Sequence, residues 1–304
     1  MRSGFVEGQH RGDVVVLDAA GAVVAAAGDI DRPVFPRSAN KPLQVVGMLR
    51  AGLRLDGPDL ALAAASHSGE RAHVDRVRAV LAAGGLTEDD LACPPELPLG
   101  AAAQRAVLAA GGGPERVTMN CSGKHAAMLR TCLAAGWPIP GYLSAEHPLQ
   151  VALRAAVEEL AAEPVTHTGV DGCGAPVFAL SLTGLARAFS RLVDADAGTA
   201  ERAVADAMRA HPGVVGGTGR DVTQLMTGTP DVLAKDGAEG VYAAAVPGVG
   251  AVALKLADGA ARARMPVLVS GLRRLGATAD VLDTLAEVPL LGGGQPVGVV
   301  RAVW

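Results

Sequence analysis

The spacing of apolar residues changes twice along this chain of 304 residues, which limits the folds it can adopt. Residues 13–29, DVVVLDAAGAVVAAAGD, form two runs of Val and Ala around a turn in which Gly21 can take a positive φ, as in a β-hairpin. Apolar residues then recur three and four positions apart, which predicts helices that end near Gly or Pro. The segments are GERAHVDRVRAVLAAGG, GAAAQRAVLAAGGG, SGKHAAMLRTCLAAGW, HPLQVALRAAVEELAAE, PVFALSLTGLARAFSRLV and GTAERAVADAMRAHP.

Short apolar runs bounded by Gly and Pro return after residue 230, as DVLAKDG, GVYAAAVPG and GAVALKLADG. A further helical segment, ARARMPVLVSGLRRLG, and an apolar stretch, PVGVVRAVW, follow them. Strand patterns at both ends with helices between predict an α+β fold, in which N- and C-terminal strands share one sheet flanked by helices. No linker or repeat is visible, so we expect a single domain over residues 1–304. Residues 1–35 and 230–304 would form the sheet, and residues 36–229 a mainly helical part.

Charge and hydropathy argue against two classes of partner. The chain has 27 Lys and Arg against 31 Asp and Glu, and the basic residues form no block, so we expect no nucleic-acid binding. The longest nearly uncharged run, Val241–Leu254, is shorter than the roughly 20 residues that span a bilayer. The first ten residues contain no apolar signal core, so we expect a cytoplasmic protein. In such a chain cysteines are more often buried, metal-binding or reactive than paired in disulfides.

The stretch RSANKP places Ser38 three residues before Lys41, just ahead of an apolar helical run. A helix that begins at or beside Ser38 would put both side chains on one face, and Pro42 is tolerated in its first turn. A serine there can act as a nucleophile if a buried lysine accepts its proton. The alternative is that Ser38 caps an ordinary helix and Lys41 is solvated.

The loop ASHSGE offers a second hydroxyl at Ser66, which could relay a proton or act as the nucleophile. Here too a helix cap is the alternative, because Ser66 or Ser68 could cap the segment that begins GERAHV, with Glu70 in its first turn.

Two cysteine segments, NCSGKHAAML and DGCGAP, contain groups that suit zinc. Cys121 and Cys173 would supply thiolates and a nearby nitrogen or carboxylate a further ligand, although a reactive Cys121 near His125 is also possible. Because the segments lack the usual short ligand spacing, two buried cysteines remain an alternative.

Lys255 lies in the otherwise apolar strand pattern GAVALKLADG. It either points to solvent from an edge strand or reaches a cleft beside Ser38, where its charge could stabilise an oxyanion. In the Gly-rich segment GGTGRD, Arg220 could hold a substrate carboxylate, and the segment lacks the pattern of a phosphate loop.

Taken together, RSANKP, ASHSGE, NCSGKHAAML, DGCGAP, GRDVTQLM and VALKLADG occur in the order found in one family. Over roughly residues 5–280 the chain resembles the L-asparaginase II family of the Rhizobium etli inducible type. The resemblance implies the fold of serine β-lactamases and penicillin-binding proteins, with a helical subdomain. It also implies hydrolysis of L-asparagine to L-aspartate and ammonia by a homodimeric enzyme.

The same resemblance assigns roles to particular residues. The implied catalytic groups are two serine–lysine pairs, Ser38 with Lys41 and Ser66 with Lys255. The implied Zn²⁺ ligands are Cys121, Lys124 and Cys173. The expected substrate-binding residues are Arg37, His67, Asp171 and Arg220.

We expect Ser38 to attack the side-chain amide, with Ser66 relaying a proton; the reverse assignment of the serines stays open. The other enzymes considered are a glutaminase, a β-lactamase and a D-alanyl peptidase. The absence of KTG and of SDN or YxN argues against the last two. A catalytically inactive amino-acid or zinc-binding protein is the alternative from another class. Gly174 and Ala175 are smaller than the residues expected beside Cys173, which indicates a more open pocket.

Overall fold

The structure is a computed structural model that describes residues 1–304. Its strands are β1 (Gly12–Asp18), β2 (Val23–Ala27), β3 (Thr168–Val170), β4 (Pro176–Phe178), β5 (Leu233–Gly237), β6 (Val241–Val246), β7 (Gly250–Leu256), β8 (Glu287–Gly292) and β9 (Gln295–Arg301). Five of them form one antiparallel sheet in the order β2-β1-β7-β6-β5.

Twelve α-helices accompany the strands. They are α1 (Lys41–Arg50), α2 (Gly57–Ala63), α3 (Arg71–Ala82), α4 (Ala101–Ala109), α5 (Ser122–Ala135), α6 (Pro148–Ala161), α7 (Leu182–Asp194), α8 (Ala200–Ala210), α9 (Pro212–Val215), α10 (Asp221–Gly228), α11 (Arg264–Arg274) and α12 (Asp280–Leu285). None of these helices combines the length and the apolar composition that a membrane span requires.

The predicted α+β class is confirmed, because strands from both ends of the chain meet in the central sheet. β1 pairs with β7 along its whole length, from Gly12 opposite Leu256 to Asp18 opposite Gly250. The predicted hairpin is also present, with Gly21 at φ 79°. The helical part of the chain covers one sheet face through α7, while α11 packs on β1, β6 and β7 from the other.

Two segments differ from the predicted pattern. PVF, at the start of a predicted helix, forms β4 instead, because Ser181 caps α7 by accepting the Gly184 N–H at 2.8 Å and the helix begins only after it. The segment PVGVVRAVW contains all of β9 except its first residue, Gln295, and β9 pairs with β8 and not with the central sheet. The two are joined by Gly293 and Gly294, both at positive φ, and such a pair favours a tight hairpin.

The segment that carries Ser38 is a 3-10 turn, Arg37–Asn40, which runs directly into α1. This turn packs against the end of β5 and against β6. The approach requires glycine at Gly237, where a Cβ would lie 2.5 Å from the Pro36 carbonyl oxygen and 3.3 Å from the Ala39 nitrogen. The edge of the sheet therefore sets the position of the turn.

Candidate active site

Ser38 is partly exposed, and its hydroxyl makes no hydrogen bond within the chain. It does not cap a helix, because neither the 3-10 turn nor α1 has a side-chain cap hydrogen bond. The preceding residue, Arg37, has a φ of 52°, a left-handed conformation that is costly for a residue with a side chain. Strained backbone conformations cluster at active sites, and the strained residue here directly precedes the predicted nucleophile.

Lys41 is the first residue of α1 and is only 1% exposed. Its Nζ donates hydrogen bonds to the Ala65 carbonyl at 2.5 Å and to the Ser66 hydroxyl at 3.1 Å. It takes part in no ion pair. Lys41 is therefore not the solvated lysine of the alternative interpretation; it connects the two serine segments.

Ser66 is 5% exposed and follows α2 in the loop before α3. Its backbone N–H donates to the Val215 carbonyl at 3.0 Å, while the Ser68 hydroxyl donates to the Gly216 carbonyl at 2.9 Å. The N-cap residue of α3 is Glu70, so neither serine has the capping role. The side-chain contact of Ser66 is with Lys41.

The structure does not bring Lys255, the predicted partner of Ser66, to that serine. Lys255 lies on β7 opposite Asp13 of β1 and donates to the Leu256 carbonyl. Burial lowers its pKa, and the charges that act on it come from Glu239, Arg32, Asp258 and Asp13. None of these four charged residues is among the side chains around Ser38, so the charges near Lys255 differ from those near Ser38.

A different strand lysine lies near this group. Lys235 on β5 is fully buried, and Lys41 is close enough for its charge to help depress the pKa of Lys235, which burial lowers to about 8. The registers of β5, β6 and β7 put Lys235 and Lys255 on one face of the sheet, two strands and two residues apart, or roughly 12 Å. The 3-10 turn packs beside β5 and β6.

Asp236 fixes the Lys235 ammonium, which donates to the Asp236 carboxylate at 2.6 Å and to its carbonyl at 2.8 Å. Arg220 donates to the same carboxylate at 2.8 Å, and Arg264 lies 3.8 Å from it. Although burial alone raises the pKa of Asp236, these three cations hold it below its ordinary value. Arg220, predicted to hold a substrate carboxylate, is thus already engaged by Asp236.

His67 is in the interior, not at an open face. Its Nδ1 accepts the Gly69 N–H at 3.1 Å and its Nε2 lies 2.9 Å from the Ser122 hydroxyl. Burial lowers its pKa well below the ordinary range, so the ring is neutral. Since both ring nitrogens have partners inside the fold, His67 has no free atom for a substrate.

The other predicted substrate-binding residues form an ion pair beside Ser38. The Arg37 Nε donates to the Asp171 carboxylate at 2.7 Å, and both side chains remain partly exposed. The Gly172 N–H donates to the same oxygen at 2.8 Å. A guanidinium and a carboxylate therefore stand together next to the 3-10 turn.

The predicted zinc ligands also come together. Lys124, in the first turn of α5, donates to the Cys173 sulfur at 3.3 Å, and both side chains are buried. A hydrogen-bonding contact with Cys121 lowers the pKa of the Cys173 thiol, and Lys124 adds to the effect. The four cysteines, Cys93, Cys121, Cys132 and Cys173, are free.

These residues fit a metal ion by donor chemistry. Two sulfurs and one nitrogen converge on a buried point, and thiolate and nitrogen ligands suit zinc. No three His, Cys, Asp or Glu side chains are arranged as a metal site, so a metal here requires the Lys124 amine as its third protein ligand.

Serine hydroxyls beside buried lysines are groups that acyl-transfer hydrolases use, and the α+β fold holds them together with a paired arginine and carboxylate. The profile of the L-asparaginase II family matches residues 1–302. The chain belongs to this family, and it is accordingly of the asparaginase type of amidohydrolase.

Among solved structures, the chain is similar to one described as a "putative beta-lactamase from Bacteroides dorei DSM 17855". The two are 14% identical, with a TM-score of 0.45, and the match covers 88% of this chain and 93% of that one. It is also similar to the structure described as Mglu, at 15% identity and a TM-score of 0.39, over 87% of this chain and 67% of the other. A comparison with curated protein sequences found no match.

Proposed function

We propose that the protein hydrolyses L-asparagine to L-aspartate and ammonia through an acyl-enzyme on Ser38. Membership of the L-asparaginase II family supports the reaction class. The observation that carries the mechanism is the hydrogen bond from Lys41 Nζ to the Ser66 hydroxyl, at 3.1 Å, directly beside the turn that presents Ser38. It provides a route for a proton between two serine segments.

In the first step the Ser38 oxygen attacks the side-chain amide carbon and forms the C–O bond, while its proton passes to the neutral amine of Lys41. Lys41 returns that proton through Ser66 to the amide nitrogen, the C–N bond breaks, and ammonia leaves. Water then attacks the Ser38 ester, and the same groups carry its proton in reverse. Ser38 suits attack because its hydroxyl is partly exposed and makes no hydrogen bond in the chain.

In this proposal Lys235 takes the role that the sequence pattern suggested for Lys255. Its buried ammonium, held by Asp236 and near Lys41, supplies a positive charge close to the oxyanion of the tetrahedral intermediate. Lys255 would then have no catalytic role.

Arg37 and Asp171 are proposed to bind the amino-acid end of the substrate, with the guanidinium facing the α-carboxylate and Asp171 facing the α-ammonium. Cys121, Lys124 and Cys173 would hold Zn²⁺, with Lys124 as a neutral amine. When bound, the metal supplies a fixed Lewis-acid contact that orients this end of the substrate. The homodimer and the cytoplasmic location stay predictions.

Ammonia release from L-asparagine tests the proposal, and L-glutamine and nitrocefin are assayed separately as alternative substrates. Ser38→Ala should abolish turnover without a change in melting temperature, and Ser66→Ala should reduce it strongly. Ser68→Ala is the matched control, because Ser68 lies in the same loop but donates to the Gly216 carbonyl and not to the lysine. Substantial turnover by Ser38→Ala would refute the assignment.

Acid-quenched protein, digested and analysed by mass spectrometry, locates the acyl group. An adduct on the peptide containing Ser38 supports the mechanism, and an adduct on the peptide containing Ser66 reverses the roles of the two serines. Faster turnover of nitrocefin than of either amide would reject the reaction itself.

A further inference from the structure

The proposed mechanism gives no role to Glu70, just before α3, or to the Gly-rich segment GGTGRD. Glu70 is the N-cap residue of α3, but its side chain makes no capping hydrogen bond. Its carboxylate instead reaches a segment 148 residues away. One carboxylate oxygen accepts the Thr218 N–H at 2.7 Å, and the other accepts the Thr218 hydroxyl at 3.2 Å. Both oxygens of Glu70 therefore bind a single residue of the Gly-rich segment.

Thr218 lies in a tight turn that ends at Arg220. The Arg220 N–H closes this turn by donating to the Gly217 carbonyl at 3.4 Å. Gly217 has a φ of 116°, which favours glycine, and a Cβ there would lie 3.0 Å from a carboxylate oxygen of Glu70. The turn thus packs directly on Glu70. Because it is only four residues long, a displacement of Thr218 also displaces Arg220.

The residues before this turn are joined to the loop that carries Ser66 by separate hydrogen bonds. The Ser66 N–H donates to the Val215 carbonyl at 3.0 Å, and the Ser68 hydroxyl donates to the Gly216 carbonyl at 2.9 Å. Both acceptors precede the turn. Glu70 supplies the contact with the turn itself.

The far end of the turn reaches the strand lysine of the proposed mechanism. The Arg220 guanidinium donates to one carboxylate oxygen of Asp236 at 2.8 Å, and the Lys235 ammonium donates to the other at 2.6 Å. Since the two cations bind different oxygens of one carboxylate, the position of the guanidinium helps to set the orientation of the carboxylate. The orientation of the carboxylate in turn sets the position of the ammonium.

We propose that Glu70 is a positioning residue for Lys235: it holds the turn Gly217–Arg220 through Thr218, and Arg220 holds Asp236, which fixes the Lys235 ammonium. The inference rests on the proposed function, in which that ammonium stabilises the oxyanion. It also gives Arg220 a role other than binding the substrate carboxylate. The loop that carries Ser66 and the strand that carries Lys235 are thereby kept in register.

Steady-state kinetics of ammonia release from L-asparagine test the inference on variants whose melting temperature is unchanged. Glu70→Ala should lower kcat by about tenfold with KM nearly unchanged, because the ammonium acts on the tetrahedral intermediate and not on bound asparagine. Glu70→Gln should restore most of kcat, because an amide can accept the Thr218 N–H and donate to its hydroxyl. Asp75→Ala is the matched control: it removes an exposed carboxylate of α3 that pairs only with Arg71 and Arg78, and should leave the kinetics unchanged.

The pH profile is a readout that a general loosening of the fold would not move in one direction. The charges that act on Lys235 are those of Asp236, Lys41 and Arg220, and the positive charge of Arg220 lowers the pKa of Lys235. If Arg220 is displaced, Asp236 still has Lys235 and Arg264 beside it. The pKa of Lys235 should then rise.

Turnover should fall as the pH rises through the pKa of Lys235, because the proposed mechanism needs the ammonium. This alkaline limb of kcat should move to higher pH in Glu70→Ala and in Arg220→Gln. If Glu70 acts through Arg220, the double variant should match Arg220→Gln alone in kcat and in pH profile. Losses in kcat that multiply in the double variant, or a wild-type alkaline limb in Glu70→Ala, would overturn the inference.

The Lys235→Met protein separates failure of the inference from failure of the proposed function. If the wild type does not hydrolyse L-asparagine, or if Lys235→Met turns over at the wild-type rate, the proposed function is wrong where the inference depends on it, and the role of Glu70 is refuted as well. If Lys235→Met is inactive while Glu70→Ala matches the wild type in kcat and pH profile, only the role of Glu70 is refuted.

Discussion

Replacing Lys235 by Met should make the protein more stable and less active at the same time. Lys235 is fully buried, and Met fills a similar volume without the charge. Asp236 would keep Arg220 and Arg264 as partners, so the substitution does not leave an isolated carboxylate inside the fold. Turnover should fall because the proposed mechanism needs the ammonium near the reacting carbonyl.

The magnitude follows from the pKa of Lys235, which burial lowers from its ordinary value of 10.5 to about 8. Below pH 8 both the folded and the unfolded chain hold the proton, and the folded chain bears the full cost of the buried charge. At about 1.4 kcal/mol per pH unit, that cost is about 3 kcal/mol. Between about pH 8 and 10.5 the unfolded chain binds more protons than the folded one, so stability contributed by this residue rises with pH.

Urea unfolding of the wild type and Lys235→Met at several pH values measures this effect. The variant should exceed the wild type by about 3 kcal/mol at pH 7, and the difference should disappear by pH 10.5. Lys255→Met is the matched control: that lysine is partly exposed, and its loss should leave both turnover and the free energy of unfolding nearly unchanged. A less stable Lys235→Met protein at pH 7, or equal loss of turnover in both variants, would refute the reasoning.

Two further substitutions test how the site is positioned. Gly237→Ala places a Cβ 2.5 Å from the Pro36 carbonyl oxygen and so displaces the turn that carries Ser38. We expect kcat/KM to fall by about 100-fold. Gly213→Ala is the control: a Cβ there has open space around it, so kcat/KM should not change. Asp171→Asn removes the ion pair with Arg37 at 2.7 Å and should raise KM for L-asparagine by about tenfold with a smaller change in kcat. Steady-state kinetics, measured on variants whose melting temperature is unchanged, test both predictions. If Asp171→Asn changes only kcat, the substrate-binding role of Asp171 is contradicted.

The helices and the central sheet were predictable because their apolar spacing is a local property of the sequence. The hairpin around Gly21 and the strands at β5, β6 and β7 follow from alternation and from Gly at the turns. The separate β8–β9 hairpin was not predicted, although the Gly293–Gly294 pair is its local signal. Which strand a terminal segment joins depends on long-range packing, which no local pattern reports.

Part of the candidate site was predictable for the same reason. Ser38 and Lys41 are neighbours on a helical turn, so their proximity follows from spacing alone. The contact of Lys41 with Ser66 was not predicted, because the resemblance pairs Ser66 with Lys255, and the contact of Lys124 with Cys173 was implied only by the family resemblance. Spacing does not indicate that segments 25 or 49 residues apart meet.

The two strand lysines show where a residue pattern stops being informative. A lysine in an otherwise apolar strand needs a partner, and this argument applies equally to AKDG and ALKL. The alternation of side chains along a strand cannot distinguish the two lysines, since Lys235 and Lys255 lie on the same face of the sheet. The distinction comes from Gly237: because it has no side chain, the turn before α1 can pack on β5, and this contact brings Lys235 close to Lys41. The signal for the second lysine is therefore the glycine two residues after it, and its meaning depends on what packs there.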